Sequence, residues 1–387
     1  MGRDTPNAIA RAEAAARARG VRLRLLNDSN PTRHGLGPDR LPGVYEADPR
    51  GSLTARRALA RFLADSGRGG TGSVDPDRLY LLDSTSEAYA WLLMLLCDPG
   101  DAVLAPVPGY PLVDSLASLV GVRVRDYRLR YDGSWTIDAA DMRRVLESPD
   151  GDRIRAVVLI NPDNPTGSYV HEEERREIVD LCRRYGLALI ADEVFFGYPL
   201  EPLEGRRRLA GEDGVLTFAL DGLSKSLAAP QAKVGWIRVS GPQEQIAEAL
   251  RLLDRIADDF LPVSARMAEE LPVLLEGVED RTGVVLDRIT GNLRRLEGIL
   301  ASRQGCPVSL MRPEGGWSVV LRIPSVIDED SLVLRLIEDK GMTDQPGYFF
   351  DMPGNGHLVL SLLPAPADFI EGAAAVLDLV DDMLDGR

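Results

Sequence analysis

Four short segments hold the residue types from which a reactive site could be built. Asp83-Ser84-Thr85-Ser86-Glu87-Ala88 opens a helical stretch, Tyr89–Leu96. Hydroxyls beside free backbone N–H groups at a helix start suit an anion such as phosphate, although a plain helix cap uses the same residues. Asn161-Pro162-Asp163-Asn164-Pro165-Thr166-Gly167 has two X-Pro steps, which hold an extended turn and orient Asn164. Ala191-Asp192-Glu193-Val194-Phe195-Phe196 closes an apolar run with a carboxylate that either faces a cation or caps a turn. Gly222-Leu223-Ser224-Lys225-Ser226 sets one lysine among small residues. A lysine so placed can act as a nucleophile toward a carbonyl, and a surface lysine is the plain alternative. Lys233-Val234-Gly235-Trp236 begins eight residues after Lys225.

Such segments need a frame that brings them to one edge. Each follows or adjoins a run that reads as a buried strand: Leu79–Leu82, Ala102–Ala105, Ala156–Ile160, Ala188–Ala191, Leu216–Leu220 and Val234–Val239. Helical patterns separate many of them. Glu172–Tyr185 opens on three Glu, carries Arg183 and Arg184 in its last turn and stops at Gly186. Ser52 can cap a helix with Leu59, Phe62 and Leu63 on one face. Alternating strands and helices predict an α/β layer with a mostly parallel sheet, whose ligands bind at the carboxyl ends of the strands. After Gln243 the chain reads as helical, with a long charged helix near 279–303. Residues 306–387 return to an α+β pattern with strands Val308–Met311, Trp317–Ile323 and His357–Leu362, and helices near 329–340 and 366–384. Residues 40–278 are therefore expected to form a large domain, and 1–39 with 279–387 a small domain carrying an N-terminal arm. A Gly-, Pro- and Asn-rich stretch at 27–51 marks a long loop, and residues 7–19 an exposed Ala-rich helix.

The 387 residues carry 45 Lys and Arg against 60 Asp and Glu, a net charge of −15, which argues against nucleic acid or an anionic membrane as partner. The longest apolar run, Ala88–Cys97, is too short to cross a bilayer, and no apolar signal core follows the first basic residues. Three Cys suggest buried thiols rather than a disulfide framework, and His34, His171 and His357 lack metal spacing. A cytoplasmic, metal-free protein is expected.

Taken together, Asn-Pro-x-Asn-Pro-Thr-Gly, an Asp 28 residues after Asn164 and a Ser-Lys 33 residues after that Asp resemble the signature of the class I/II aminotransferases, enzymes of pyridoxal 5'-phosphate. The resemblance spans nearly the whole chain. It implies the three-layer fold of aspartate aminotransferase, with a mostly parallel large-domain sheet and a smaller α+β domain. It implies that Lys225 holds the cofactor as a Schiff base and moves protons, and that Asp192 faces the pyridine nitrogen. Asn164 would bond the phenolic oxygen, and Tyr110, in Pro108-Gly109-Tyr110, would stack on the ring. Thr85, Ser86, Ser224 and Lys233 would hold the phosphate. Tyr45, ahead of Pro49-Arg50-Gly51, matches the Tyr that reaches the phosphate of a neighbouring subunit, which implies a homodimer with a shared site. The expected substrate is a small amino-acid-like molecule.

Three positions depart from the pattern. Lys233 stands where Arg is usual, keeping the charge without the bidentate fork. Phe195 replaces a Tyr, removing a hydrogen bond to the phenolic oxygen. His357-Leu358-Val359-Leu360-Ser361 has Val359 where an Arg usually clamps the substrate carboxylate. Another Arg, such as Arg33, Arg312 or Arg322, could serve; or the substrate lacks that carboxylate; or the carboxylate must leave. Val359 and Phe195 keep a carbon–sulfur β-lyase or decarboxylating deaminase, acting on an amino-acid-derived conjugate, as the alternative to an aminotransferase. A PLP-binding DNA regulator is disfavoured by charge and by the lack of a helix-turn-helix before residue 27. Arg33 and His34 fall where the family lines the substrate pocket, Trp317 falls where the small domain faces the substrate, and Tyr348-Phe349-Phe350 could form an aromatic wall.

Overall fold

A computed structural model describes residues 8–22, 30–34, 36, 41, 43–261 and 263–386. It divides into two compact units, residues 1–46 and 47–387. The first unit contains a helix, Ala8–Ala18, and a 3-10 turn, Pro31–His34. Asn30 organises that turn. Its Oδ1 accepts from the Thr32 N–H and hydroxyl, and its Nδ2 donates to the Tyr45 carbonyl. Part of the loop expected at 27–51 lies outside the described residues.

The second unit is built on an eight-stranded sheet. Its strands are β1 (Leu79–Leu82), β2 (Ala102–Val107), β3 (Arg123–Tyr131), β4 (Trp135–Ile137), β5 (Ile154–Ile160), β6 (Ala188–Asp192), β7 (Thr217–Gly222) and β8 (Gly235–Ser240). They lie in the order β1-β8-β7-β6-β5-β2-β3-β4. The five strands β3, β2, β5, β6 and β7 run parallel; β8 is antiparallel to both β7 and β1, so that β1 runs with the five, and β4 is antiparallel to β3. Alternation along the central strands feeds two cores. Val157, Leu159, Leu189 and Ala191 face helices Ala139–Leu146 and Glu172–Tyr185. Ala156, Val158, Ala188 and Ile190 face helices Thr85–Leu96 and Gln243–Phe260. Both faces are covered, which is why these strands read as continuous apolar runs.

A second sheet is wholly antiparallel, in the order β11-β12-β10-β9, from β9 (Ser309–Met311), β10 (Ser318–Arg322), β11 (Gln345–Pro346) and β12 (His357–Ser361). Val319, Leu321, Leu358 and Leu360 bury one face against helices Val278–Ser302, Glu329–Lys340 and Pro366–Leu384. Val320 and Val359, on the other face, join the core that lies over the eight-stranded sheet.

The expected strands all exist, with ends moved by at most two residues. Three strands, β3, β4 and β11, escape the apolar criterion. β3 has five charged residues among nine, and only Tyr127 and Leu129 of it are buried, because it lies near the edge with only short β4 beyond. Ser52 does precede helix Leu53–Asp65, but its side chain makes no capping hydrogen bond; that correction follows from the hydroxyl finding no N–H in the first turn. Among the described residues no helix is long and apolar enough to cross a membrane.

Candidate active site

The carboxyl ends of the parallel strands carry the chemistry. β6 ends at Asp192, whose side chain is almost fully buried. Its Oδ2 accepts from the Tyr89 hydroxyl at 3.1 Å and its Oδ1 from the Val194 N–H at 3.2 Å. Burial pushes the Asp192 carboxyl up to about 6, against the pull of those two donors.

β5 ends beside Asn161, which is wholly buried. Its amide donates to Glu193 Oε1 at 3.2 Å and its Oδ1 accepts from the Val170 N–H at 3.0 Å. Asp163 closes the turn by accepting from the Thr166 hydroxyl at 2.7 Å. Between these anchors Asn164 is presented to the cavity.

β7 runs into a one-turn helix, Leu223–Ser226, that carries Ser224 and Lys225. The Tyr198 hydroxyl donates to the Lys225 carbonyl. Lys225 Nζ stands 5.2 Å from the centre of the Phe195 ring and 5.1 Å from that of Trp317. Burial lowers the Lys225 pKa, and the Asp192 charge works the other way.

Helix Thr85–Leu96 starts beside β8. Ser84 caps it by accepting from the Glu87 N–H at 3.2 Å, and Glu87 accepts from the Asp83 N–H at 2.8 Å. The first-turn N–H groups of a helix lack intrahelical acceptors, so this end is polarised toward an anion. Gly235 makes the approach feasible. A Cβ there would lie 3.2 Å from the Ser84 carbonyl carbon and 3.3 Å from the Thr85 nitrogen. Lys233, just before, holds a left-handed backbone with φ of 51°.

These elements enclose a cavity of about 370 Å³. It gathers Thr85, Ser86, Tyr110, Asn164, Asp192, Ser224, Lys225 and Lys233, together with Phe195. Tyr110 is half exposed, and the N–H of Gly109 before it donates to the Phe350 carbonyl at 3.0 Å. Tyr45 belongs to the first unit, where its own N–H donates to the Thr32 hydroxyl at 2.8 Å. Arg33 and His34 lie in the turn of that unit.

Several contributors were not legible in the sequence. Tyr89 reads only as the first residue of the helical stretch Tyr89–Leu96. Behind the site, Glu193 and Asp221 are buried with Arg208, which donates to Asp221 at 3.2 Å and lies 3.6 Å from Glu193. A carboxylate after a strand was the available signal, but its partner 15 residues downstream was not. Tyr348 and Phe349 do not line the cavity: Tyr348 donates to Asp330 at 2.9 Å and packs edge to face on Phe349.

Residues 46–365 match the family described as aminotransferase class I and II. Over 380 residues the chain is 30% identical to an alanine aminotransferase of Mycobacterium tuberculosis, covering 94% of this chain and 86% of that protein. It is 25% identical to the glutamate-pyruvate aminotransferase AlaA of Escherichia coli, covering 90% and 88%. The chain belongs to the class I and II aminotransferases. An alanine aminotransferase from Pyrococcus furiosus shares the fold, with a TM-score of 0.76, 23% identity and coverage of 97% and 95%. These likenesses favour amino transfer over the lyase alternative.

Aminotransferases of this family use pyridoxal 5'-phosphate, and the donors around the cavity fit that molecule. A helix start, three hydroxyls and an ammonium suit a phosphate. A buried carboxylate suits a protonated ring nitrogen, an amide suits a phenolate oxygen, and a primary amine suits an aldehyde. The departures of this aminotransferase are equally visible. Val359 on β12 pairs with Val320 and Gln345, is 2% exposed and packs in the same core as Met311, Phe350 and Met352. Arg312 is held by Glu201 through two contacts of 2.6 Å, and Arg322 rests 5.7 Å from the centre of the Tyr131 ring. Neither lines the cavity.

Proposed function

We propose that this aminotransferase holds pyridoxal 5'-phosphate in the cavity at the strand ends and moves an amino group from a small amino acid to a 2-oxo acid. The observation that carries the reading is the convergence of Lys225, Asp192 and Asn164 on one cavity whose far wall is a helix start. When bound, the cofactor supplies an electron sink for the negative charge that develops at the substrate Cα.

The chain's residues do the rest. Asp192, ionised above a pH of about 6, holds the proton on the ring nitrogen; Tyr89 and Val194 keep its carboxylate in place. Asn164 donates its amide to the phenolic oxygen, and with Phe195 in place of a tyrosine it acts there without a hydroxyl beside it. Tyr110, on the cavity wall, would cover one ring face. Thr85, Ser86, Ser224 and Lys233 hold the phosphate. Lys225 would hold the cofactor through its Nζ and, once the substrate amine has displaced that nitrogen, the freed amine would take a proton from the substrate Cα and give it back.

Tyr45 is assigned by its family position to the phosphate of a second copy, making the working unit a cytoplasmic homodimer. Residues 40–278 would form the large domain and 279–387, with the arm 1–39, the small one. The relatives' names suggest alanine or glutamate as amino donor and pyruvate as acceptor. Val359 removes the usual carboxylate clamp, so that task falls to a cation outside β12.

The test is an absorbance spectrum of the purified protein during addition of single L-amino acids without any oxo acid. A visible cofactor band that bleaches and stays bleached, with one 2-oxo acid released per site, is expected; Lys225→Ala should abolish both. A band that persists while ammonia, sulfide or carbon dioxide appears would establish lyase or decarboxylase chemistry instead.

A further inference from the structure

One group of aromatic side chains grips Lys225 at both ends. At the backbone, the buried Tyr198 donates its hydroxyl to the Lys225 carbonyl. At the tip, Nζ stands over two ring faces, Phe195 at 5.2 Å and Trp317 at 5.1 Å. The rings brace one another edge to face. Phe195 and Trp317 are 5.3 Å apart, Tyr198 and Trp317 are 5.0 Å apart, and both pairs meet at 68°.

The backbone that delivers Trp317 is fixed as well. The Gly315 N–H donates to the Gly167 carbonyl at 2.9 Å, and the Gly316 N–H to the Tyr198 carbonyl at 3.0 Å. A Cβ at Gly315 would sit 2.5 Å from the Tyr169 ring, so only glycine lets the chain pass. Tyr198 therefore ties down both the lysine backbone and the segment that carries the ring over the lysine tip.

We propose that Phe195 and Trp317 form an aromatic seat for the Lys225 ammonium, and that Trp317 is a positioning residue for amino transfer. The second half of this inference rests on Lys225 being the reactive amine. An ammonium within about 6 Å of a ring centre is attracted to the ring face, and the attraction grows as the pair loses water. No hydrogen bond joins Nζ to a carboxylate among the described residues. The charged and titratable groups facing it are Asp192 from the end of β6, Lys233 and Tyr110 on the walls of the same cavity, and the Tyr198 phenol below. Tyr89 is spent on Asp192, and Asp221 on β7 is engaged by Arg208. Burial disfavours the ammonium and the Asp192 charge opposes that effect; the two ring faces, 5.2 and 5.1 Å from Nζ, act in the same direction as Asp192. The seat has two effects. It raises the proton affinity of an amine that must both take and give a proton, and it restricts where Nζ can point. Phe195 suits this role, since it offers a ring face and no competing hydroxyl.

The test measures Lys225 directly in the cofactor-free protein. Reductive methylation over a range of pH, followed by mass spectrometry of the Lys225 peptide, gives the midpoint at which the amine becomes reactive. Trp317→Leu and Phe195→Leu should each lower that midpoint by about 0.7 unit, equivalent to about 1 kcal/mol, while Trp317→Phe keeps it. Fluorinated tryptophans weaken the ring face without changing its shape. Their incorporation should lower the midpoint stepwise with fluorine number, and this series decides the matter if Trp317→Leu does not fold. In the holoenzyme, the pH profile of the single-turnover rate with L-alanine should move in the same direction. A midpoint unchanged in both leucine variants, or flat across the fluorinated series, would overturn the seat. A midpoint that moves while Lys225→Ala still transfers amino groups would support the seat and overturn the functional reading.

Discussion

Asp192→Asn should stabilise the cofactor-free protein while abolishing its activity, and the stabilisation should depend on pH in a defined way. Burial lifts the Asp192 carboxyl from 3.8 to about 6. The folded protein therefore binds a proton there more tightly than the unfolded chain does. Between those two values the native state carries more protons, so stability falls as pH rises through the window and the loss is complete above it. A rise from 3.8 to about 6 corresponds to about 3 kcal/mol at pH 8 and about 1.5 kcal/mol at pH 5. An amide of the same shape does not ionise and escapes this penalty. Urea denaturation of the cofactor-free wild type and variant at pH 5 and pH 8 measures the difference. The variant's advantage should roughly double between them, whereas its single-turnover rate with L-alanine should fall at least ~10³-fold, since the ring nitrogen loses its counter-charge. An advantage independent of pH, or a variant less stable at pH 8, would refute the argument that Asp192 is a desolvated carboxylate held ready for a cation.

Tyr89→Phe removes one of the two donors that hold the Asp192 carboxylate, so the acid limb of kcat/KM should move up by about one unit, as expected for loss of a hydrogen bond to a buried charge. A limb that stays or moves down would show that Tyr89 serves packing alone. Gly235→Ala places a Cβ against the Ser84 and Thr85 backbone and should weaken cofactor binding about tenfold, measured by equilibrium dialysis, as the helix start is pushed away from the phosphate. Arg312→Ala and Arg322→Ala should each change KM for alanine less than about threefold, because Glu201 holds the first, Tyr131 carries the second and neither lines the cavity. A tenfold rise in steady-state KM for either would put the carboxylate clamp on the small sheet.

The sequence by itself determined the parallel core and the four loops that bear the chemistry. Strands buried on both faces must be apolar throughout, so β2, β5, β6 and β7 announce themselves, and the residues that break each run fall at strand ends where side chains meet a cavity. Asn164, Asp192, Ser224 and Lys225 were legible because each is a polar exception at the close of such a run. β3 was not, since a strand near the edge needs few apolar residues and its arginines obscure the alternation. Tertiary structure alone decided what each of these groups touches. Tyr89 reaches Asp192 across 103 residues, Trp317 meets Phe195 and Lys225 from another sheet, and Arg208 finds Asp221 inside the protein. Tertiary packing also decided that Val359 turns into an apolar core. The reason is physical: a side chain's burial is written in local periodicity, whereas its partner is set by the packing of elements distant in sequence, which local pattern does not encode.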